Sequence, residues 1–566
     1  MSRRSVLGAM ALMALPGLMA LAPHNRPIPP IRPQIPAANR MAGDRVFLEQ
    51  AELLRKETGD SFLTVVTDVV FTKGPMLMKC DSAHFFEGSE SLQAFGNVSM
   101  EQGDTLFVYA DELDYDGASQ IATLYADPGK KVRLINRDVE LETDIFIYDL
   151  AIDLGYYEVG GRLTDPSNTL TSLYGEYVPS TKEASFYTDV HLNSRNTSDT
   201  LDIYSDTLYY NTDTHIAQLF SPSRVVNRRG TIYTTLGVYD TDSNRTTLYD
   251  RSTIVTAQRQ TLTADTIFYD RTGGYGVAYG GMVLTDSVHD AQVLGNYGFY
   301  DELADTSFVT GRAMLKHFNG TDTLYLHGRY IRTAALYDTT TVAADTIAGT
   351  PERVSVDTTH VAIVHPGVRF YRNDIQGVCD SMRFTERDST LRMFINPILW
   401  NEQQQIFGNV IEILLNDSTV ERATLPDQAF VAQYIEGPHF QQLSGKEMVA
   451  YFVAGEMKRL DINGNVEIIM YPEENDSTIN KIVNAQSSFL RAYFKGRTTE
   501  QIKLWPETTG TATPLFLARK SLYYLPKFKW YEDLRPVDKD DIFAKEPEAE
   551  DVAGEDGEPA TDDNNP

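Results

Sequence analysis

The chain has 566 residues, enough for two to four ordinary domains or one long repeat array. Hydrophobic residues make up 42%, which excludes wholesale disorder. The 79 acidic against 50 basic residues give a net charge of −29, which disfavours nucleic acid as a partner and docking through a basic patch onto an anionic membrane.

The chain begins "MSRRSVLGAMALMALPGLMALAPHN", with Arg3 and Arg4 ahead of an apolar stretch from Val6 to Ala22. That layout predicts a secretory signal peptide over residues 1–22, too short for an ordinary membrane span, with a retained anchor as the alternative. Residues 23–44 form a proline-dense linker that neither a helix nor a sheet accommodates. The segment "DRVFLEQAELLRK" from Asp44 is compatible with one helix or with the start of a strand.

From about residue 45 the sequence becomes repetitive. One unit reads Asp, any, apolar, any, aromatic: "DSAHF" at 81, "DELDY" at 111, "DIFIY" at 144, "DTLYY" at 206, "DTIFY" at 265 and "DSMRF" at 380. The first three are 30 and 33 residues apart, and the next gaps of 62 and 59 are double steps with weaker copies at Tyr174–Tyr177 and "GVYD" at 237. "GNV" recurs at 96, 408 and 464. The period is therefore near 30 residues. Within a unit the residues alternate, so that in "TLFVYADELDY" Phe107, Tyr109, Asp111, Leu113 and Tyr115 are expected on one face. Turn chemistry such as "YNTDT" and "YDRTGG" separates the strands. In the latter, Gly273 and Gly274 are expected at positive φ, with Gly280 and Gly281 bending the chain before the next strand. One such unit cannot repay its own ordering entropy, at about 1–2 kcal/mol per residue, so units must stack. The expected class is all-β, an elongated β-solenoid or β-jellyroll of antiparallel repeats. It is divided into repeat regions at 45–335 and 366–545, an irregular connector at 336–365, and an acidic disordered tail at 546–566.

Sites for chemistry are scarce. Cys80 and Cys379 lie 299 positions apart and make neither a disulfide framework nor a metal motif. His360 and His365 fall on opposite faces of a strand, which argues against a shared metal. "DTDSN" at 240 has Arg245 where a calcium loop needs glycine, so it reads as a hairpin turn. "GGYG" lies between strands and lacks the third glycine of a dinucleotide loop, leaving the glycines as punctuation. Paired acids such as Asp114 and Asp116 raise a glycosidase reading, but an acid that recurs in every repeat marks architecture. No catalytic residue, metal or cofactor is expected.

The segments "GNVSMEQGDTLFVYADELDYD", "LTADTIFYDRTGGYGVAYGGMVLTD" and "SGKEMVAYFVAGEMKRLDINGNVEI" resemble the OstA-like family, relatives of the periplasmic bridge proteins of lipopolysaccharide transport. The resemblance implies an open β-jellyroll that holds acyl chains in a concave interior and passes lipopolysaccharide, or a related glycolipid, toward the outer membrane. It implies a periplasmic location, other transport proteins as partners through end-to-end strand pairing, and no catalysis. The inward stripe expected to line the interior is Phe85, Tyr109, Leu113, Tyr115, Phe146, Tyr148, Leu208, Tyr210, Ile267 and Tyr269. The alternative is a non-catalytic scaffold or adaptor for envelope proteins.

Overall fold

The computed structural model describes residues 45–194, 201–320, 322–342, 353–416, 419–472, 478–496 and 498–544. The expected signal peptide, proline-rich linker and acidic tail lie outside these residues. The described residues hold 46 strands, four short 3-10 segments and no α-helix. They fall into two compact units, one of residues 45–285 with 301–303 and one of 286–300 with 304–544.

In the first unit the strands pair antiparallel and alternate between two layers. Long strands such as Ser91–Gln102, Leu106–Asp116 and Glu183–Ser194 pass from one layer to the other at a corner. Each corner is a bulge in which two residues on one strand oppose one on the next, as where the register skips from Phe95 to Val98. The extra pair takes left-handed backbone: Thr67 with Asp68, Gly96 with Asn97, Thr188 with Asp189, Gly280 with Gly281. The recurrent aspartate seals the corner from the preceding strand. Asp81 accepts a 2.8 Å hydrogen bond from Asn97, Asp111 accepts one of 2.8 Å from the Asp127 amide, and Asp265 pairs with Arg251 at 2.6 Å. A Cβ at Gly96 would stand 2.4 Å from the Asp81 carboxylate, and one at Gly280 would stand 2.5 Å from that of Asp265.

The corner corrects two expectations. Leu106 and Val108 are buried before it and Leu113 and Tyr115 after it, so the inward phase changes and Tyr109 points outward, 42% exposed. Gly280 and Gly281 lie inside the strand Tyr275–Asp286 as a corner, and of the turn glycines only Gly274 has positive φ. The "DTDSN" turn is a hairpin as expected, with Asp240 paired to Arg245. At the start, Phe47–Gln50 and Leu53–Arg55 are two short strands on Leu63–Lys73, so the strand alternative holds there.

In the second unit, the segment expected as an irregular connector forms the strands Tyr330–Val342 and Arg353–His365, paired along their whole length. Threonine and valine dominate it, and β-branching favours strands whatever the polarity. The boundary between units accordingly falls near residue 285 rather than at 336. His360 sits between two carboxylates, its Nδ1 2.9 Å from Glu386 and its Nε2 2.9 Å from Asp305.

After the strand Thr509–Pro514, residues 515–544 run back across the strands already laid down. Asn484 donates to the Leu522 carbonyl, and Gln442 donates to Tyr523 and accepts from the Leu525 amide. Gln405 does the same for Lys529 and Tyr531, and Arg369 donates to the carbonyls of Leu534 and Asp541. Gln376, Trp400, Gln405, Ala432, Gln442 and Ile469 are paired neighbours on one sheet face, opposite to that of Gly377, Leu399 and Ile406. This strap covers that face.

Two tests follow from the corners and the histidine. Gly96→Ala is expected to lower the unfolding free energy by about 1–3 kcal/mol, partly from the clash with Asp81 and partly from backbone strain. In an Asp81→Ala background the clash is gone, so the loss measured by denaturant titration should shrink. Burial opposes protonation of His360, but hydrogen bonds to Glu386 and Asp305 outweigh it and hold its pKa above the ordinary value. Its contribution to stability is therefore complete below about pH 6.5 and lost as pH rises through the raised value. The melting temperature of the protein should fall over that interval more steeply than that of His360→Gln.

Candidate lipid-binding interior

On one layer of the first unit the inward residues fall into two columns that cross the strands. One runs through Leu113, Leu124 and Phe146, then through Phe186, Leu208 and Leu219, and later Leu248 and Ile267. The other begins with Phe85, Leu92 and Tyr115. From there it alternates large and small side chains. Tyr115 faces Ala122, Tyr148 faces Gly155, Tyr177 faces Ala184, Tyr210 faces Ala217, Tyr239 faces Thr246 and Tyr269 faces Gly276. The two weaker repeat copies supply Tyr177 and Tyr239, so no rung is skipped.

At several of these positions a neighbouring ring occupies the space that a side chain would need. A Cβ on Gly155 would come within 2.3 Å of the Phe146 ring, and one on Gly175 within 2.4 Å of Tyr157. Phe146, Tyr148, Tyr157, Tyr177, Phe186, Leu208 and Tyr210 are at most 2% exposed. All expected lining residues except Tyr109 lie in these columns, with Leu113, Tyr115 and Ile267 also buried and Phe85 and Tyr269 half-buried. The interior expected to be open is filled by its own rings. Beside Met76, Met78, Met100 and Tyr115 there remains an apolar cleft of about 40 Å³, far below the roughly 300–1,000 Å³ of ordinary ligand sites. Larger cavities lie away from the columns, one of about 740 Å³ beside Val190, Tyr204 and Arg251 in the same unit and one of about 810 Å³ in the other unit between the strap and residues such as Arg369 and Ile398.

The tyrosine hydroxyls do what composition could not predict: they reach across to the turns that rim the opposite layer. Asn136 donates to Tyr177 at 2.9 Å, Asn168 donates to Tyr210 at 2.7 Å while Tyr210 donates to Asp165, and Arg229 donates to Tyr269 at 3.0 Å. Tyr148 reaches Gln102 at 3.4 Å and also donates to Asp153 in the turn of its own hairpin. The series is a latch along the mouth between the layers. Burial, then nearby acids, raises the pKa of Tyr148 and Tyr210, so these hydroxyls remain neutral donors. The first rung is different. Lys73 lies over the Tyr115 ring at 5.7 Å, but the buried Tyr115 hydroxyl has no hydrogen-bond partner among the described residues, and burial pushes its pKa up to about 12. The signal that could have revealed the latch is the distance of about 40–46 residues from each tyrosine back to a polar turn residue. It emerges only once the layers are paired.

Comparison with known proteins bears on this unit. The model of the family described as OstA-like protein matches residues 43–198 and 194–274. Among solved structures, the chain is similar to LptH from Pseudomonas aeruginosa, the LptA-homologous periplasmic component of the conserved lipopolysaccharide transport device. The identity is 14%, over 25% of this chain and 79% of that one, and the TM-score of 0.14 is too low to bear on the fold. No curated protein matches the chain significantly. Residues 43–274, which hold nearly all of both columns and the latch, are thus the part of the chain that is similar to the OstA-like proteins.

Proposed function

We propose that the protein carries acyl chains of lipopolysaccharide or a related glycolipid in the periplasm and passes them toward the outer membrane, without catalysing a reaction. The observation that carries this reading is the unbroken pair of apolar columns in an OstA-like unit, closed along its mouth by hydrogen bonds that water can replace. A 14-carbon acyl chain costs roughly 10 kcal/mol to keep in water, at about 0.8 kcal/mol per methylene. Each latch bond has a net worth of only about 0.5–1.5 kcal/mol. Burial of one chain therefore exceeds the cost of undoing several rungs, and the filled interior is the lipid-free state. Entry starts at the first rung, where Tyr115 lacks a hydroxyl partner among the described residues and the adaptable side chains of Met76, Met78 and Met100 surround the cleft. Lipid phosphates meet a chain of net charge −29, so head groups stay in solvent at the mouth or are bridged by divalent cations.

The partner proteins join by strand addition at sheet ends. Thr498–Trp505 and Thr509–Pro514 each pair with Lys481–Lys495, and Phe47–Gln50 with Leu63–Lys73. The scaffold reading has one observation in its favour, the absence of an acyl-sized void within the columns.

Photocross-linking decides between them. A photoreactive residue in place of Tyr115 should cross-link to glycolipid, whereas one in place of Tyr109, on the outward face, should not. The double substitution Tyr177→Phe with Tyr210→Phe should cost about 1–3 kcal/mol of stability and speed lipid loading. Absence of glycolipid from a solvent extract of the purified protein, together with no cross-link at 115, would favour the scaffold. Affinity unchanged by chelator would remove the cation bridge.

A further inference from the structure

The strap conceals a local reversal of charge. Residues 515–531, "LFLARKSLYYLPKFKWY", contain Arg519, Lys520, Lys527 and Lys529 and no acidic residue, inside a chain of net charge −29. Its two faces differ. Leu515, Ala518, Leu522, Tyr523 and Leu525 pack onto the cluster of Ile469, Tyr471 and Ile482. The Phe528 and Trp530 rings each stand 5.0 Å from Phe440. Gln442 fixes the backbone between them. What this anchoring leaves outward is basic and apolar. Phe516 is 86% exposed, more than any other large apolar side chain among the described residues, and Leu517 is 63% exposed. The four basic side chains are exposed, and none makes an ion pair among the described residues.

Exposed aromatic and aliphatic side chains beside a cluster of basic residues are the two signals that together hold a protein on a bilayer, one by insertion and one by attraction to anionic head groups. An acidic protein or a free phosphate would account for the charge but would leave Phe516 and Leu517 in water. We propose that the outward face of residues 515–531, presenting Phe516, Leu517, Arg519, Lys520, Lys527 and Lys529, docks on an anionic phospholipid bilayer. Whole-chain charge argues against such docking, and the strap overrides it locally because screening confines each charge to about 8–10 Å at physiological salt. The surface belongs to the unit without the tyrosine columns, so it stands or falls independently of the carrier reading.

Flotation of the full chain with vesicles tests it. Vesicles of phosphatidylglycerol and phosphatidylcholine should bind the protein, with binding reduced at roughly 0.5 M salt. Vesicles of phosphatidylcholine alone should bind it far less. Each basic residue near an anionic surface is worth about fivefold in affinity, so R519E/K520E/K527E/K529E should lose on the order of 100-fold or more. F516S/L517S should weaken binding while keeping its salt dependence. The apolar stretch from Val6 to Ala22 is common to all variants, and unchanged circular dichroism would confirm that exposed-site substitutions leave the fold intact. Equal flotation of the charge-reversed variant would overturn the proposal, as would equal binding to neutral vesicles. Salt-sensitive retention on polyglutamate without vesicle binding would also overturn it, assigning the face to an acidic protein.

Discussion

A large aromatic ring packed inside a β-stack leaves little room for a second large side chain on the adjoining strand. That steric condition organises the first unit. It explains why Tyr115, Tyr148, Tyr177, Tyr210, Tyr239 and Tyr269 each face alanine, glycine or threonine across the ladder. It also matches the repeat, since one large and one small rung take two strands of this layer with two more strands between them, about 30 residues with their turns. With the rings packed in this way, their hydroxyls arrive at the opposite rim, and the latch follows from the packing.

The second constraint is the corner. A strand that crosses from one layer to the other must change which of its residues face inward, and the bulge with its two left-handed residues does this at little cost where glycine or asparagine is available. The recurrent aspartate belongs to this device. In the fold it receives Asn97 at one corner, a backbone amide at another and Arg251 at a third.

These two constraints divide what was readable in the sequence from what was not. The period and the all-β class come from local patterns, and the structure bears them out, with Leu113, Tyr115, Phe146, Tyr148, Leu208, Tyr210 and Ile267 buried. Tyr109 failed because simple alternation was carried through a corner, and a strand that changes layers breaks that alternation. The paired strands at 330–342 and 353–365 were missed because polar, threonine-rich sequence was read as a connector. The latch and the strap were invisible for another reason. Both join residues tens to more than a hundred positions apart, such as Tyr210 with Asp165 and Tyr531 with Gln405. Whole-chain net charge likewise hid the basic face at 515–531, because a sum over 566 residues says nothing about 17 of them.

The central claim is that the filled interior opens along its latched mouth to take hydrocarbon. Hydrogen–deuterium exchange of the full chain, with and without saturating purified lipopolysaccharide, tests this most directly. The account predicts faster exchange in the rim turns at residues 102–106, 136–139 and 164–168 when lipid is bound, with the corners at 96–97 and 188–189 unchanged. Identical exchange at the rims in both states, with lipid demonstrably bound, would contradict it.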